Sequence, residues 1–294
     1  MRKPKITVIG SINMDLVTIT KRMPLQGETV VGETFRLIPG GKGANQAVAA
    51  ARLGVDVQMI GAVGTDAFGT ELLHHLQKEG IIVDGVKPVT DTETGIATIV
   101  ISEGDNRIIV VPGANHALRP DDLERWEEKI ATSDVCLLQL EIPLSVVERA
   151  VSIAKRNGVR VILNPAPAQP LPDTLLDQVD FLTPNEHERD IVLAGRPLKQ
   201  WAHKLIVTEG KRGVSFQRNG EQVLIPGFRV PVVDTTGAGD TFNGALAVAL
   251  SKGMALEEAC RYANAAAALS VTKLGAQTGM PTERELESFL AEKG

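Results

Sequence analysis

Six short apolar runs punctuate the chain, and they limit its fold more than any other feature. KITVIG (5–10), VQMIGAVG (57–64), VCLLQLE (135–141), RVILNP (160–165), DFLTP (180–184) and KLIVTEG (204–210) are β-rich and nearly continuous in their apolar character. Amphipathic or Ala-rich helical patterns lie among them: ANQAVAAARLG (44–54), GTELLHHLQKEG (69–80), SVVERAVSIAKRNG (145–158) and LEEACRYANAAAALSV (256–271). Strands without polar alternation need cover on both faces, so this order predicts an α/β fold with a mostly parallel central sheet between helical layers. Ligands of such a sheet bind beyond the carboxyl ends of its strands.

Two segments break the rhythm. TVVGETFRLI (29–38) is β-prone with no helix beside it, and TGIATIVISEGDNRIIVV (94–111) reads as two strands joined by a Glu-Gly-Asp-Asn turn. They predict a small β layer, from segments around 14–38 and 92–112, that projects from the main domain and covers a site. Its exposed face needs a partner, so a homodimer through this layer is expected. With no repeat or low-complexity tract, residues 1–294 are expected to form one domain carrying that lid.

Composition removes several classes of function. A net charge of −5 argues against a general nucleic-acid binder, and 3% aromatic content leaves little for base stacking. The 43% hydrophobic share suits a sizeable core. Cys136 and Cys260 form no CxxC and read as reduced, packed thiols. The N-terminal MRKPKITVIGSINMD resembles a signal peptide only superficially, because its apolar run is short and Asp15 interrupts it. No window approaches the roughly 18 apolar residues of a membrane span. A cytoplasmic location without membrane or nucleic-acid partners is expected.

Several motifs each admit two readings. PGGKGANQAVAAARLG (39–54) is not a Walker A loop, since Gly43 follows Lys42. Its glycines either let the backbone approach a ligand closely or simply make a turn ahead of a helix. Asp15, just past the first strand, either accepts sugar hydroxyls or bonds its own backbone in a turn. Glu141 ends an apolar run and faces either solvent or a polar ligand. In TPNEHE (183–188), Thr183, Pro184 and Glu186 fit an N-cap, a first-turn proline and a capping-box glutamate. Asn185 and Glu188 are then left free on one face to approach Mg²⁺ or phosphate. VTEGKRG (207–213) is a strand followed by a turn.

DTTGAGDTFNGA (234–245) is not a dinucleotide fingerprint, because Phe242 stands where the third glycine belongs and the motif lies late in the chain. What remains is a helix expected to begin near Asp240, with the Gly237, Ala238 and Gly239 amides leading into it. Asp240 suits an N-cap. A carboxylate beside an anion-binding turn also suits a kinase, which must accept a hydroxyl proton and stabilise a transferring phosphoryl group.

GGKGANQAVAAARLG and DTTGAGDTFNGA together resemble the two signature regions of the PfkB family of carbohydrate kinases. GSINMD, LQLEIP, LNPAPA, LTPNEHE and the stretch from Tyr262 to Gln277 extend the resemblance over nearly the whole chain, toward the branch acting on free ribose. The resemblance implies ATP-dependent phosphorylation of the ribose 5-hydroxyl, with Asp240 as base and Gly237, Ala238 and Gly239 as anion hole. It implies that Asn13, Asp15, Gly41, Lys42, Gly43, Asn45 and Glu141 hold the sugar. Asn185, Thr208, Glu209, Gly210, Lys211, Gly213, Gly239 and Asn264 would line the ATP site, and Glu188 would act on Mg²⁺ indirectly. Activation by K⁺ is implied at Asp234, Thr236, Ser270, Lys273, Gly275 and Gly279. VLAGRPLKQWAH, between Ile191 and Lys204, is shorter than in many family members, and Trp201 and Leu198 are expected to pack a shortened turn there.

Overall fold

The apolar runs become buried strands whose polar neighbours mark the turns. The computed structural model describes residues 2–293, with the Leu198 side chain outside the described set. The chain begins β1 (Lys5–Ile9), β2 (Asn13–Ile19), β3 (Thr34–Gly40), α1 (Lys42–Arg52), β4 (Asp56–Gly64) and α2 (Ala67–Lys78). It continues through β5 (Ile82–Val89), β6 (Gly95–Ser102), β7 (Asp105–Val111), α3 (Glu127–Ala131), β8 (Val135–Leu138) and α4 (Leu144–Arg156). Next come β9 (Arg160–Leu163), α5 (Asp173–Gln178), β10 (Phe181–Leu182), α6 (Glu186–Val192) and β11 (Ile206–Thr208). It closes with β12 (Gly213–Arg218), β13 (Glu221–Pro226), α7 (Ala238–Ser251), α8 (Leu256–Ser270) and α9 (Glu283–Lys293).

The central sheet is parallel, in the order β10-β9-β8-β1-β4-β5. The bridge from Leu182 to Leu205 carries it on into the antiparallel β11-β12-β13. One face is sealed by α1, α7 and α8 around Val8, Val48 and Leu246, the other by α4 around Ile9, Leu138 and Val147. Burying each such side chain contributes about 1.5–3 kcal/mol, which fixes which face each strand residue takes. The chain builds outward from β1 through β4 to β5, then returns to start the other half at β8. Strand order therefore reverses between β1 and β8, and a crevice opens at their carboxyl ends.

A separate four-stranded sheet, β3-β2-β6-β7, stands off this edge, with β2 and β6 parallel and the other pairs antiparallel. Only residues 34–38 of the first β-prone segment join it, within β3, and the 94–111 hairpin turns tightly at Glu103-Gly104, with Glu103 at φ 54°. Phe35, Ile108 and Ile109 on this sheet are exposed.

Three boundaries differ from the sequence expectation. The run 135–141 leaves the sheet after Leu138, because the Leu140 N–H turns to the Ala166 carbonyl (3.0 Å). The helix expected near Asp240 begins at Ala238, capped by Gly237, so Asp240 is its third residue and not its N-cap. In 183–188 the N-cap is Asn185 and the capping-box partner is Glu188, replacing the expected Thr183 and Glu186. Before β11, Trp201 is buried and its indole N–H donates to Asp177 (2.9 Å), whereas the expected packing of Leu198 falls on a side chain outside the described residues. Both cysteines are buried and free. No helix among the described residues is long and apolar enough to cross a membrane.

Candidate active site

Chain leaving β1 forms one wall of the crevice. The Ser11 hydroxyl donates to Glu141 Oε2 (2.5 Å), and the Lys42 amide donates to the same oxygen (3.1 Å). Gly41, at φ 88°, precedes Lys42 where a Cβ would stand 2.7 Å from the Asn13 amide nitrogen, so only glycine lets α1 begin this close. Gly43 packs as tightly against Gly10 and Ser11. Asn115 donates to Asn13 Oδ1 (2.7 Å), holding that amide at the mouth of a cavity of about 540 Å³. Glu141, Leu140, His116 and Gln169 line the cavity, and Val110 of β7 borders it from the separate sheet.

Asp15 lies on β2 itself, not in a turn, with its carboxylate over Gly40, where a Cβ would lie only 2.5 Å away. Burial, then Glu141 and Asp240, push its carboxyl up to about 7 against the pull of Lys42. Burial pushes the Lys42 ammonium down, but Asp240, Glu141, Glu188 and Asp15 more than reverse this and keep it charged. The crevice thus sets the half-buried Lys42 ammonium among several carboxylates.

Asp240 is buried in α7 facing α1. Its Oδ2 accepts from the Asn45 side chain (2.9 Å) and its Oδ1 from Gln46 (3.0 Å). Burial raises its carboxyl above the ordinary value, offset in part by the Lys42 charge and by these amides. A carboxyl raised above its ordinary value is a stronger proton acceptor than an exposed aspartate. Beside it, the Gly237, Gly239 and Asp240 amides have no partner among the described residues, and Ala238 reaches only the Thr235 carbonyl at 3.2 Å. A Cβ on Gly239 would meet nothing within 4 Å, so α7 has open space at this position, and unpartnered amides at a helix start can bind a phosphate.

Behind the turn, Asp234 Oδ1 accepts from the Thr236 amide (2.9 Å) and hydroxyl (2.7 Å), and Oδ2 accepts from the Gly275 amide (2.8 Å). Burial opposes ionisation, yet these bonds hold its carboxyl below the usual range. Gly279 fits against the Ser270 carbonyl, where any Cβ would clash. The Asp234 N–H donates to the Val271 carbonyl (3.2 Å), which sets the Asp234–Thr236–Gly275 cluster beside the end of α8, where Ser270 and Gly279 pack. The Lys273 side chain points away, toward Glu285 (3.7 Å).

At the other end, Asn185 Oδ1 caps the Glu188 amide and Glu188 Oε2 caps the Asn185 amide, both at 2.8 Å. These side chains are therefore committed on one side to α6, leaving the Asn185 NH₂ and Glu188 Oε1 for a ligand. Among the described residues no group of three His, Cys, Asp or Glu side chains is placed to hold a metal directly. Asn185 bridges to Thr208, placing the turn with Gly210, Lys211 and Gly213 beside it. Glu209 turns inward, where its Oε1 accepts from Ser215 (2.5 Å). Asn264 spends its NH₂ on the Ile225 (3.0 Å) and Pro226 (3.3 Å) carbonyls, bracing β13.

Sequence reasoning missed Ser11, Gln46, Asn115, Gln139 and Gln277. Gln139 within VCLLQL and Gln46 within an alanine-rich helix were the available signals, since a polar residue in an apolar run demands a partner.

Comparison with known proteins gives matches over nearly the whole chain. The profile of the family described as pfkB family carbohydrate kinase matches residues 3–283. A ribokinase of Bacillus subtilis (strain 168) is 49% identical, the match covering 97% of this chain and 99% of the relative. A ribokinase of Lactococcus lactis subsp. lactis (strain IL1403) is 46% identical, covering 98% and 97%. Among solved structures, Arabidopsis thaliana ribokinase complexed with ribose and ATP matches with a TM-score of 0.90 at 34% identity, over 99% of each chain.

Proposed function

The chain belongs to the pfkB family of carbohydrate kinases, and we propose that it transfers the γ-phosphoryl group of ATP to the 5-hydroxyl of D-ribose. The products are ribose 5-phosphate and ADP. The observation that carries this reading is the buried Asp240 carboxylate, held by Asn45 and Gln46 of α1 beside the unpartnered amides of Gly237 and Gly239.

Asn13, Asp15 and Glu141 hold the sugar hydroxyls in the crevice, with Lys42 offsetting the carboxylates' charge. Asp240 accepts the 5-hydroxyl proton as the oxygen attacks phosphorus. The α7 amides donate to the equatorial oxygens as charge builds there, and such a donor is worth ~2.7–4 kcal/mol in a transition state. Mg²⁺, when bound, would supply positive charge against the charge that develops on the phosphates. Asn185, Thr208, Gly210 and Gly213 border the nucleotide, and Glu188 Oε1 orders water near the metal. Asp234 and the Ser270 carbonyl would hold K⁺, whose charge would support the turn from behind. The sheet carrying β2 and β7 acts as a lid that excludes competing water, and its exposed Phe35 and Ile109 meet a second copy of the chain. The protein works in the cytoplasm.

An acceptor panel tests this reading. ADP release is measured with ribose, 2-deoxyribose, fructose, a ketodeoxy sugar acid and a nucleoside, each with and without K⁺. Ribose is expected to give the highest kcat/KM, and a strong preference for another acceptor rejects the ribose assignment.

A further inference from the structure

Asn45 and Gln46 are consecutive on α1, yet they hold opposite oxygens of one carboxylate, Asp240 Oδ2 and Oδ1. The Asn45 arm is set from the C-terminal segment, where Gln277 donates to Asn45 Oδ1 (2.8 Å) and the His75 ring bonds Gln277 Oε1 (2.6 Å). The Gln46 arm is set from the strand ends. Gln46 Nε2 is shared between Asp240 and Asn164 Oδ1 (3.1 Å), while its Oε1 accepts from Gln139 (2.6 Å). Asn164 is tied in turn to the Thr183 carbonyl (3.2 Å).

Gln46 is fully buried beside Ala47 and Val48, on a helix where an apolar side chain would carry no desolvation penalty. Its amide cannot turn over. Flipping it would set Oε1 against the oxygens of Asp240 and Asn164, and Nε2 against the donor of Gln139. Every direction of the group is thus fixed by side chains, and the chain of amides ends on Asp240. A neutral N–H favours the carboxylate over the acid without pairing its charge, and so adds to the pull of Lys42 against the burial and the Glu141 charge that raise this carboxyl.

We propose that Gln46 is a positioning residue for Asp240, holding the carboxylate ionised and oriented toward the acceptor hydroxyl, with Gln139 locking Gln46 in place. This rests on the reading of Asp240 as the base. The near-isosteric Q46M removes both donors. The Asp240 carboxyl titration, followed by ¹³C NMR with D240N to assign it, is expected to move up by about one to two pH units. The acid limb of kcat moves with it, lowering turnover roughly ten- to a hundredfold below the new midpoint, while KM for ribose changes little. Q139M keeps both donors and frees their orientation, and a smaller shift in the same direction is expected. An unmoved Asp240 midpoint in Q46M, or in Q139M if Q46M does not fold, overturns the proposal. Because the titration needs no substrate, it separates this inference from the acceptor assignment, which fails only if wild-type protein does not phosphorylate ribose.

Discussion

Gly237 and Ala276 meet backbone to backbone, so that a Cβ on Gly237 would stand 2.8 Å from the Ala276 Cβ. Gly237 also sits at φ 76°, a left-handed conformation that costs other residues about 1–2 kcal/mol. G237A is therefore expected to lower the melting temperature and turnover together. Gly239 differs, because its Cβ would enter open space within the helix. G239A is expected to keep or raise the melting temperature while kcat falls about 100-fold, as the methyl displaces the phosphoryl group. Thermal melts beside ADP-release assays separate the two, and full activity in G239A would remove the turn from the site.

Asp240→Asn keeps the shape of the side chain and removes the base. Turnover is expected to fall by roughly 10²–10⁴. Ribose binding, measured by calorimetry, should change little, since Asp15 and Glu141 remain. Near wild-type turnover would show that another group takes the proton.

Asp15 carries a pH signature. Its carboxyl ordinarily titrates near 3.8 and is raised to about 7 in the fold. Between those values the native chain binds a proton that the unfolded chain has released. The group's contribution to stability is thus greatest at low pH and is lost as pH climbs toward 7. D15N should gain melting temperature over wild type at about pH 8 and show little gain at about pH 4. Sugar binding runs the other way, because only the ionised carboxylate accepts from both of two hydroxyls. Ribose affinity of the nucleotide-free protein should rise through a midpoint near 7. A flat profile would take Asp15 off the acceptor site.

Asp234 ties Thr236 to Gly275 through the bonds at 2.7–2.9 Å. Wild-type protein is expected to turn over faster in K⁺ than in Na⁺, and D234A should make the two rates equal at the lower value. Equal wild-type rates in both salts would exclude a cation role for this loop.

The layered sheet, the projecting β segments and the Gly-rich helix starts were legible because each is a local pattern. Boundaries set by distant partners were not. The Thr208 N–H bonds the Pro184 carbonyl (2.9 Å), which keeps Thr183 and Pro184 extended and moves the cap to Asn185. Gly237 is pinned by Ala276, so α7 starts at Ala238 and Asp240 becomes an interior residue. Gln46, Gln139 and Gln277 carry no periodic signal, because what defines them is the partner each meets across the fold.

β2 leaves the end of β1 and brings Asn13 and Asp15 with it into the four-stranded sheet. That sheet is consequently a poor candidate for removal in any minimised version of this protein. A chain with those strands excised would keep its parallel core and the Asn185–Thr208 end, yet lose Asn13 and Asp15, the side chains proposed to hold the acceptor. Modularity here runs through the site, not around it.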